Sequence, residues 1–99
     1  MSGNNLKYEV EIAVEVLEKD LPKLSSKLSN IIKRKLLKLE ENPFIGKPLQ
    51  GILSNCYSLK VSKYRVVYKV FKSRLLVLVI AIGKRDNSFI YKLAEKRLH

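Results

Sequence analysis

The sequence predicts an α+β fold: an N-terminal strand, a helical hairpin packed on a mainly antiparallel four-stranded sheet, and a closing C-terminal helix. Three observations predict it. Apolar residues alternate with polar ones through residues 57–71, the signature of half-buried strands. The run Leu75 to Ile82 is apolar on both faces, which suits a central strand. Apolar residues recur at helical spacing from Val14 to Leu39 and again from Phe89 to Leu98.

The elements follow in order. Met1 to Asn5 is a polar lead-in; Leu6, Tyr8, Val10 and Ile12 then alternate with Lys7, Glu9 and Glu11 as a half-buried strand. Val14, Leu17, Leu21 and Leu24 predict a first helix, which Pro22 ends or bends around Asp20 to Lys23. Ser25 or Ser26 can cap a second helix carrying Leu28, Ile31, Ile32, Lys35, Leu36 and Leu39 along one side. That helix should stop at Asn42, because Pro43 disfavours a helical residue before it. Pro43, Gly46, Pro48 and Gly51 mark residues 43–55 as a loop. Strands are expected over about 56–62, 64–71 and 75–83, with Lys72-Ser73-Arg74 as a tight antiparallel connection. Asp86 or Ser88 can cap the last helix, whose inner face is Phe89, Ile90, Leu93, Ala94 and Leu98. The 99 residues fit one domain, with no repeat or low-complexity segment.

Charge narrows the partners. The net charge is +11, with nine Lys/Arg against seven Asp/Glu in residues 1–55 and eleven against two in residues 56–99. Positive charge concentrated in the strand-rich half points to an anionic partner, nucleic acid before a membrane surface or an acidic protein. No secretory signal and no apolar stretch of membrane-spanning length is apparent, and the single Cys56 suits a reducing cytoplasm. Zinc and thiol catalysis fail on counting: Cys56 has no second cysteine, and the only histidine, His99, is the last residue. Cys56 is expected to be a small buried residue, and no cofactor or metal is expected.

Strand alternation sorts the faces. Tyr57, Leu59 and Val61 share one side and Ser58, Lys60 and Ser62 the other; Val66, Tyr68 and Val70 oppose Arg65, Val67, Lys69 and Phe71. Lys60 and Arg65 therefore can meet on the face away from the helical hairpin. Gly83-Lys84-Arg85 ends the next strand, and Tyr91 follows six residues after Arg85. Cations converging from several strands suit a polyanion. Singly, each has a plainer reading: lysines on a solvated sheet face, a tyrosine packing at a helix start. Lys63, Lys69 and Lys84 are read as general electrostatic contacts to an anionic partner. Tyr8, Tyr57, Tyr64 and Tyr68 are read as core or core-edge residues, and Glu9, Glu11, Glu15 and Glu18 as a solvated face.

From Tyr8-Glu9-Val10-Glu11-Ile12 onward, the chain resembles the RelE family of bacterial and archaeal toxins, ribosome-dependent mRNA endonucleases with a RelE/ParE-like, microbial-RNase-like fold. The matching pieces are Glu18-Lys19-Asp20-Leu21, Glu41-Asn42-Pro43, Lys47-Pro48-Leu49-Gln50-Gly51, Tyr64-Arg65-Val66-Val67-Tyr68, and Ile82-Gly83-Lys84-Arg85 with Tyr91. The first three recur across the wider RelE/ParE superfamily, whereas Gly-Lys-Arg with its tyrosine belongs to the RNA-cutting branch. The resemblance implies attack of an RNA 2′-hydroxyl on the neighbouring phosphate. Lys60 would then stabilise the phosphate or assist proton removal, and Arg65 would clamp phosphate oxygens. Arg85 would offset charge near the leaving 5′-oxygen, and Tyr91 would orient the 2′-hydroxyl or stack on a base. It also implies a RelB-like antitoxin partner, with operator DNA bound only through the complex. One departure is Ser58, where RNA-cutting relatives carry a second basic residue two positions before the equivalent of Lys60. A basic residue is also missing at Ser62 and the turn is shorter; Lys63 can replace some of that charge. The rival expectations are a ParE-like DNA gyrase inhibitor and a catalytically weak relative that binds ribosomes or RNA.

Overall fold

In the computed structural model, which describes residues 7–85 and 88–98, the apolar run lies inside the sheet as expected, from Leu76 onward. The strands are β1 (Glu9–Ile12), β2 (Lys47–Pro48), β3 (Cys56–Val61), β4 (Tyr64–Phe71) and β5 (Leu76–Lys84), in the order β1-β5-β4-β3-β2. Only the β1–β5 pair is parallel. The helices are α1 (Ser26–Lys38) and α2 (Phe89–Arg97).

The sheet has five strands, not four. The extra strand is the two-residue β2 inside the predicted loop 43–55, where Lys47 and Pro48 pair with Ser58 and Tyr57. So short a strand has no alternation to read, and its lysine and proline are residues that blunt a sheet edge.

The first half of the predicted hairpin also differs. In place of a regular helix, a π-helical turn (Val16–Asp20) runs into a 3-10 turn (Leu21–Lys23) that contains Pro22. The wide turn changes the phase of the segment, so that Val16 and Asp20 are buried while Val14 and Leu17, expected inside, are exposed. The second half holds better. Ser25 caps α1, its hydroxyl accepting from the Leu28 N–H at 3.1 Å, and Ile32 and Leu36 are buried. Ile31 is exposed, however, and α1 ends at Lys38 rather than Asn42, the chain turning through Leu39 to Glu41. The Asn42 side chain then accepts from the Phe44 N–H. Leu75 begins no strand: it takes a left-handed conformation (φ 48°) closing the 3-10 turn Lys72–Arg74. Ser88 stands at the N-cap of α2 without a side-chain cap bond, and the alternative cap, Asp86, lies outside the described residues, as do the lead-in and His99.

Two cores result, one on each side of the sheet. α1 and the π-helical turn cover Leu59, Val61, Val66, Tyr68, Val70, Val77 and Val79. α2 covers Cys56, Val67, Ile80 and Ala81 through Ile90 and Ala94. The predicted face assignment of β3 and β4 is therefore the observed one.

Two polar devices tie the layers together. β1 runs beside β5 only as far as Val79, and beyond it Asp20 and Arg97 bond the β5 backbone. The Asp20 Oδ2 accepts from the Ile82 N–H at 2.8 Å, and Arg97 Nη1 donates to the Ile80 carbonyl at 2.9 Å. The two side chains join in a bidentate pair, Nη1 to Oδ2 at 2.7 Å and Nη2 to Oδ1 at 2.9 Å, with 9% and 5% of their surface exposed. The bond to Asp20 raises the Arg97 pKa above its ordinary value, against the opposing effect of burial. The second device is Tyr68. Its phenol donates to the Pro43 carbonyl at 2.7 Å and accepts from the Gly46 N–H at 3.0 Å, pinning the loop after α1 to the sheet. Glycine is required at 46, since an added Cβ would lie 2.8 Å from that phenol oxygen and 3.1 Å from the Ser58 carbonyl. Tyr57 stacks on Tyr68 with ring centroids 5.6 Å apart.

Asp20→Ala or Arg97→Ala should each destabilise the fold by about 3–5 kcal/mol, because either leaves a buried charge without its partner. The double substitution should cost less than the sum of the two, as urea titration would measure. Tyr68→Phe should cost about 1–3 kcal/mol by stranding the Pro43 carbonyl and Gly46 amide. Burial pushes the Tyr68 phenol up to about 12 from its ordinary 10. The neutral phenol is thus favoured by the folded state: its stabilisation is complete below pH 10 and lost as pH climbs towards 12, a loss of roughly 3 kcal/mol. Denaturant midpoints across pH 9–12 should therefore fall less steeply for Tyr68→Phe than for the parent protein.

Candidate active site

β3 and β4 place the first two cations. In their antiparallel register Lys60 lies directly opposite Arg65, and both project from the face away from α1. The connecting two-residue turn holds Ser62 at φ 56° and exposes Lys63. The sequence expectation that these two residues meet is met by the register.

β5 reaches the same face through a bulge. Val67 pairs with Ala81 but Tyr68 pairs with Val79, so Ile80 is the extra residue. Val77 and Val79 point to the α1 side; after the bulge, Ile80 and Ala81 lie in the α2 core, and Ile82 returns to the α1 side. Without the bulge, simple alternation from Val77 would send residue 83 to the α1 side. With it, Gly83 lies beside Arg65 on the face bearing Lys60. α2 packs close here: a Cβ on Gly83 would lie 2.9 Å from the Ile90 Cδ1. Beyond the strand, the Arg85 N–H donates to the Lys63 carbonyl at 2.8 Å and its guanidinium donates to the Ser62 carbonyl at 3.3 Å. Arg85 is thereby tied to the β3–β4 turn, next to the Lys60–Arg65 row.

Tyr91 reaches in from α2. Its phenol oxygen lies 3.2 Å from the Ser58 Oγ, and Arg65 Nη1 donates to the same Oγ at 3.3 Å. Ser58 is 2% exposed. Lys60, Arg65, Arg85 and Tyr91 therefore gather around one end of the sheet. Lys63 and Lys84 belong to the same end: with Tyr64 and Arg85 they line an open cleft of about 600 Å³, without a carboxylate among its described residues. Lys69 is placed elsewhere. It lies four residues along β4 from Arg65, opposite Cys56, with its ammonium 5.2 Å from the centre of the Phe71 ring.

Strand alternation already put Ser58 on the side of Lys60, but only the path of α2 reveals its contact with Tyr91. Cys56 is fully buried, and burial pushes its thiol above the ordinary value, partly offset by the charge of Lys69. An unactivated, inaccessible thiol is a packing group, as the sequence indicated. Among the described residues no group of three or more His, Cys, Asp or Glu could hold a metal ion. The arrangement can grip a phosphodiester: a planar guanidinium fork and point charges can meet its oxygens, and a phenol can bond or stack on the adjoining nucleotide.

Comparison with known proteins shows what the chain and its fold are similar to. Residues 10–89 match the family described as the ParE toxin of the type II toxin–antitoxin system parDE. The mRNA interferase toxin RelE of Escherichia coli K12 is 39% identical over 83 residues, spanning 81% of this chain and 86% of that protein. The fold superposes on a doubly substituted E. coli toxin RelE in the free state with a TM-score of 0.79 and 32% identity, covering 94% of this chain and 99% of that one. It also superposes on the toxin of the intact E. coli RelBE toxin–antitoxin complex, with a TM-score of 0.68 and 29% identity over 81% of this chain and 99% of that one.

Proposed function

The chain belongs to the RelE family of type II toxins, and from that premise we propose that it is an endoribonuclease cleaving mRNA in the ribosomal A site. The observation that carries this reading is the gathering of Lys60, Arg65, Arg85 and Tyr91 at one end of the sheet. Such a set matches the demands of phosphodiester transesterification. The 2′-oxygen of the RNA attacks its neighbouring phosphorus, the P–O5′ bond breaks, and a 2′,3′-cyclic phosphate and a 5′-hydroxyl result. The 2′-proton leaves and the 5′-oxygen gains one. Charge builds on the five-coordinate phosphate, where cations fixed by the sheet and its turn cost no reorganisation as the reaction proceeds. Arg65 grips the non-bridging oxygens, Lys60 adds charge or takes up the 2′-proton, and Arg85 faces the leaving 5′-oxygen. Tyr91 aligns the attacking ribose.

In this reading the chemistry needs neither metal nor cofactor, since guanidinium and ammonium groups meet the developing charge. Residues 1–99 act as a single toxin domain. Lys63 and Lys84 extend the positive surface towards the ribosome and its message, and Lys69 contributes more remotely. A RelB-like antitoxin is the neutralising partner, supported by the relative that forms a RelBE complex. Operator DNA is contacted through that complex. The cell compartment is the cytoplasm, where ribosomes and messages lie; among the described residues no helix is long and apolar enough to cross a membrane.

On programmed ribosomes carrying a defined message, the parent protein should cut within the A-site codon, read by primer extension. Arg85→Ala should slow cutting by about 100-fold or more, the scale of removing one transition-state charge partner. Folded, antitoxin-free protein that leaves the message intact would overturn the reading, and inhibition of gyrase supercoiling by that protein would replace it with the ParE-like alternative.

A further inference from the structure

The nuclease reading uses Arg65 and Tyr91 but assigns nothing to the residue between them. Ser58 lies one row from the Lys60–Arg65 pair, flanked across the strands by Val67 and then Ala81. It is one of two polar or charged residues buried among the described residues, the other being Asp20 of the β5 clamp. Its hydroxyl hydrogen-bonds two members of the cation–phenol cluster and no other described group. At 3.2 and 3.3 Å both contacts are slightly longer than the usual hydrogen-bond range, and catalytic hydrogen bonds of this kind tighten when substrate binds.

Counting protons gives the bonds a direction. A serine hydroxyl has one proton and two lone pairs. Arg65 Nη1 can only donate, so it occupies a lone pair of the Ser58 Oγ. The Ser58 proton is buried, and Tyr91 is the one acceptor within reach among the described residues. Were Tyr91 to donate instead, the serine proton would be left buried without a partner, a cost of about 1–3 kcal/mol. The favoured order is therefore Arg65 to Ser58 to Tyr91. Tyr91 is only half-buried, and in this order its own proton is free to turn away from Ser58.

The geometry points to Ser58 as a positioning residue that holds Tyr91 as an outward hydrogen-bond donor and passes the polarisation of Arg65 to it. The inference rests on the nuclease reading for its consequence, although not for the contacts themselves. Each bond in such a chain strengthens the next, so the phenol becomes a better donor to an RNA oxygen than an unpartnered tyrosine. The role concerns alignment of the reacting groups rather than grip on the message, so its loss falls on kcat.

The test uses full-length protein carrying tyrosine labelled with 13C at Cζ, a nucleus sensitive to hydrogen bonding at the phenol, with the Tyr91 signal assigned through Tyr91→Phe. Ser58→Ala should move that signal, whereas Ser58→Thr, which keeps the hydroxyl, should leave it near the parent position. In ribosome-programmed cleavage, Ser58→Ala should lower kcat about tenfold, one hydrogen bond's worth, with KM changed less than twofold. Ser58→Thr should restore kcat to within about threefold. If Ser58→Ala leaves both the Tyr91 signal and kcat unchanged, or raises KM alone, the proposal is overturned. If Ser58→Ala moves the signal but the parent protein cuts no message, the positioning contact stands and the nuclease reading falls.

Discussion

The bidentate pair between Asp20 and Arg97 is the interaction on which the rest of the structure hangs. β1 is only four residues long, and its register with β5 ends at Val79. The half of β5 that leads to Gly83 and Arg85 would otherwise present polar backbone beneath α2. Asp20 supplies an acceptor for the Ile82 amide and Arg97 a donor for the Ile80 carbonyl, so two side chains substitute for a strand. The same pair fixes the C-terminal end of α2 and the π-helical turn to one stretch of backbone. Burying a charged pair is costly, and its return here lies in specificity: alternative dockings of α2 would leave a carboxylate and a guanidinium unpaired.

Everything at the reactive end follows from that placement. With α2 held at Arg97, its other end lies on Gly83, where the missing side chain makes room for Ile90. Tyr91, one residue later, then reaches Ser58 and through it Arg65. The bulge at Ile80 supplies the other half of the geometry by turning the end of β5 onto the face of Lys60 and Arg65. Strands thus hold Lys60 and Arg65, the β3–β4 turn holds Arg85, and a helix docked by a remote ion pair delivers the phenol. Rigid elements suit chemistry that depends on in-line geometry and preset charge.

What was legible in the sequence follows the ranges of the forces involved. The pairing of Lys60 with Arg65 could be read because alternation in β3 and β4 is local and a two-residue turn leaves little freedom in register. β5 declared itself central through an unbroken apolar run. The β5 bulge could not be read, since an apolar run shows no change of phase when one residue is inserted. The π-helical turn escaped for a related reason: Val14, Leu17, Leu21 and Leu24 fit an ordinary helix, and the wide turn that brings Asp20 to β5 also buries Val16 instead. Asp20 and Arg97 lie 77 residues apart, and nothing local links them. Ser58 read as a missing charge, and its contact with Tyr91 depends on where α2 lies. Local periodicity therefore revealed the cations, while the parts that aim them depend on long-range contacts.

The central claim is that this end of the sheet cleaves RNA through the substrate's own 2′-oxygen, with cations and a phenol as its means. The most direct test is the chemistry of the cut ends. Fragments from ribosome-programmed cleavage would be treated with polynucleotide kinase and phosphatase, and the upstream 3′ terminus identified by mass spectrometry. The account predicts a 2′,3′-cyclic phosphate upstream and a 5′-hydroxyl downstream. A 3′-hydroxyl facing a 5′-phosphate would mean that water, not the ribose, attacked, and would contradict it.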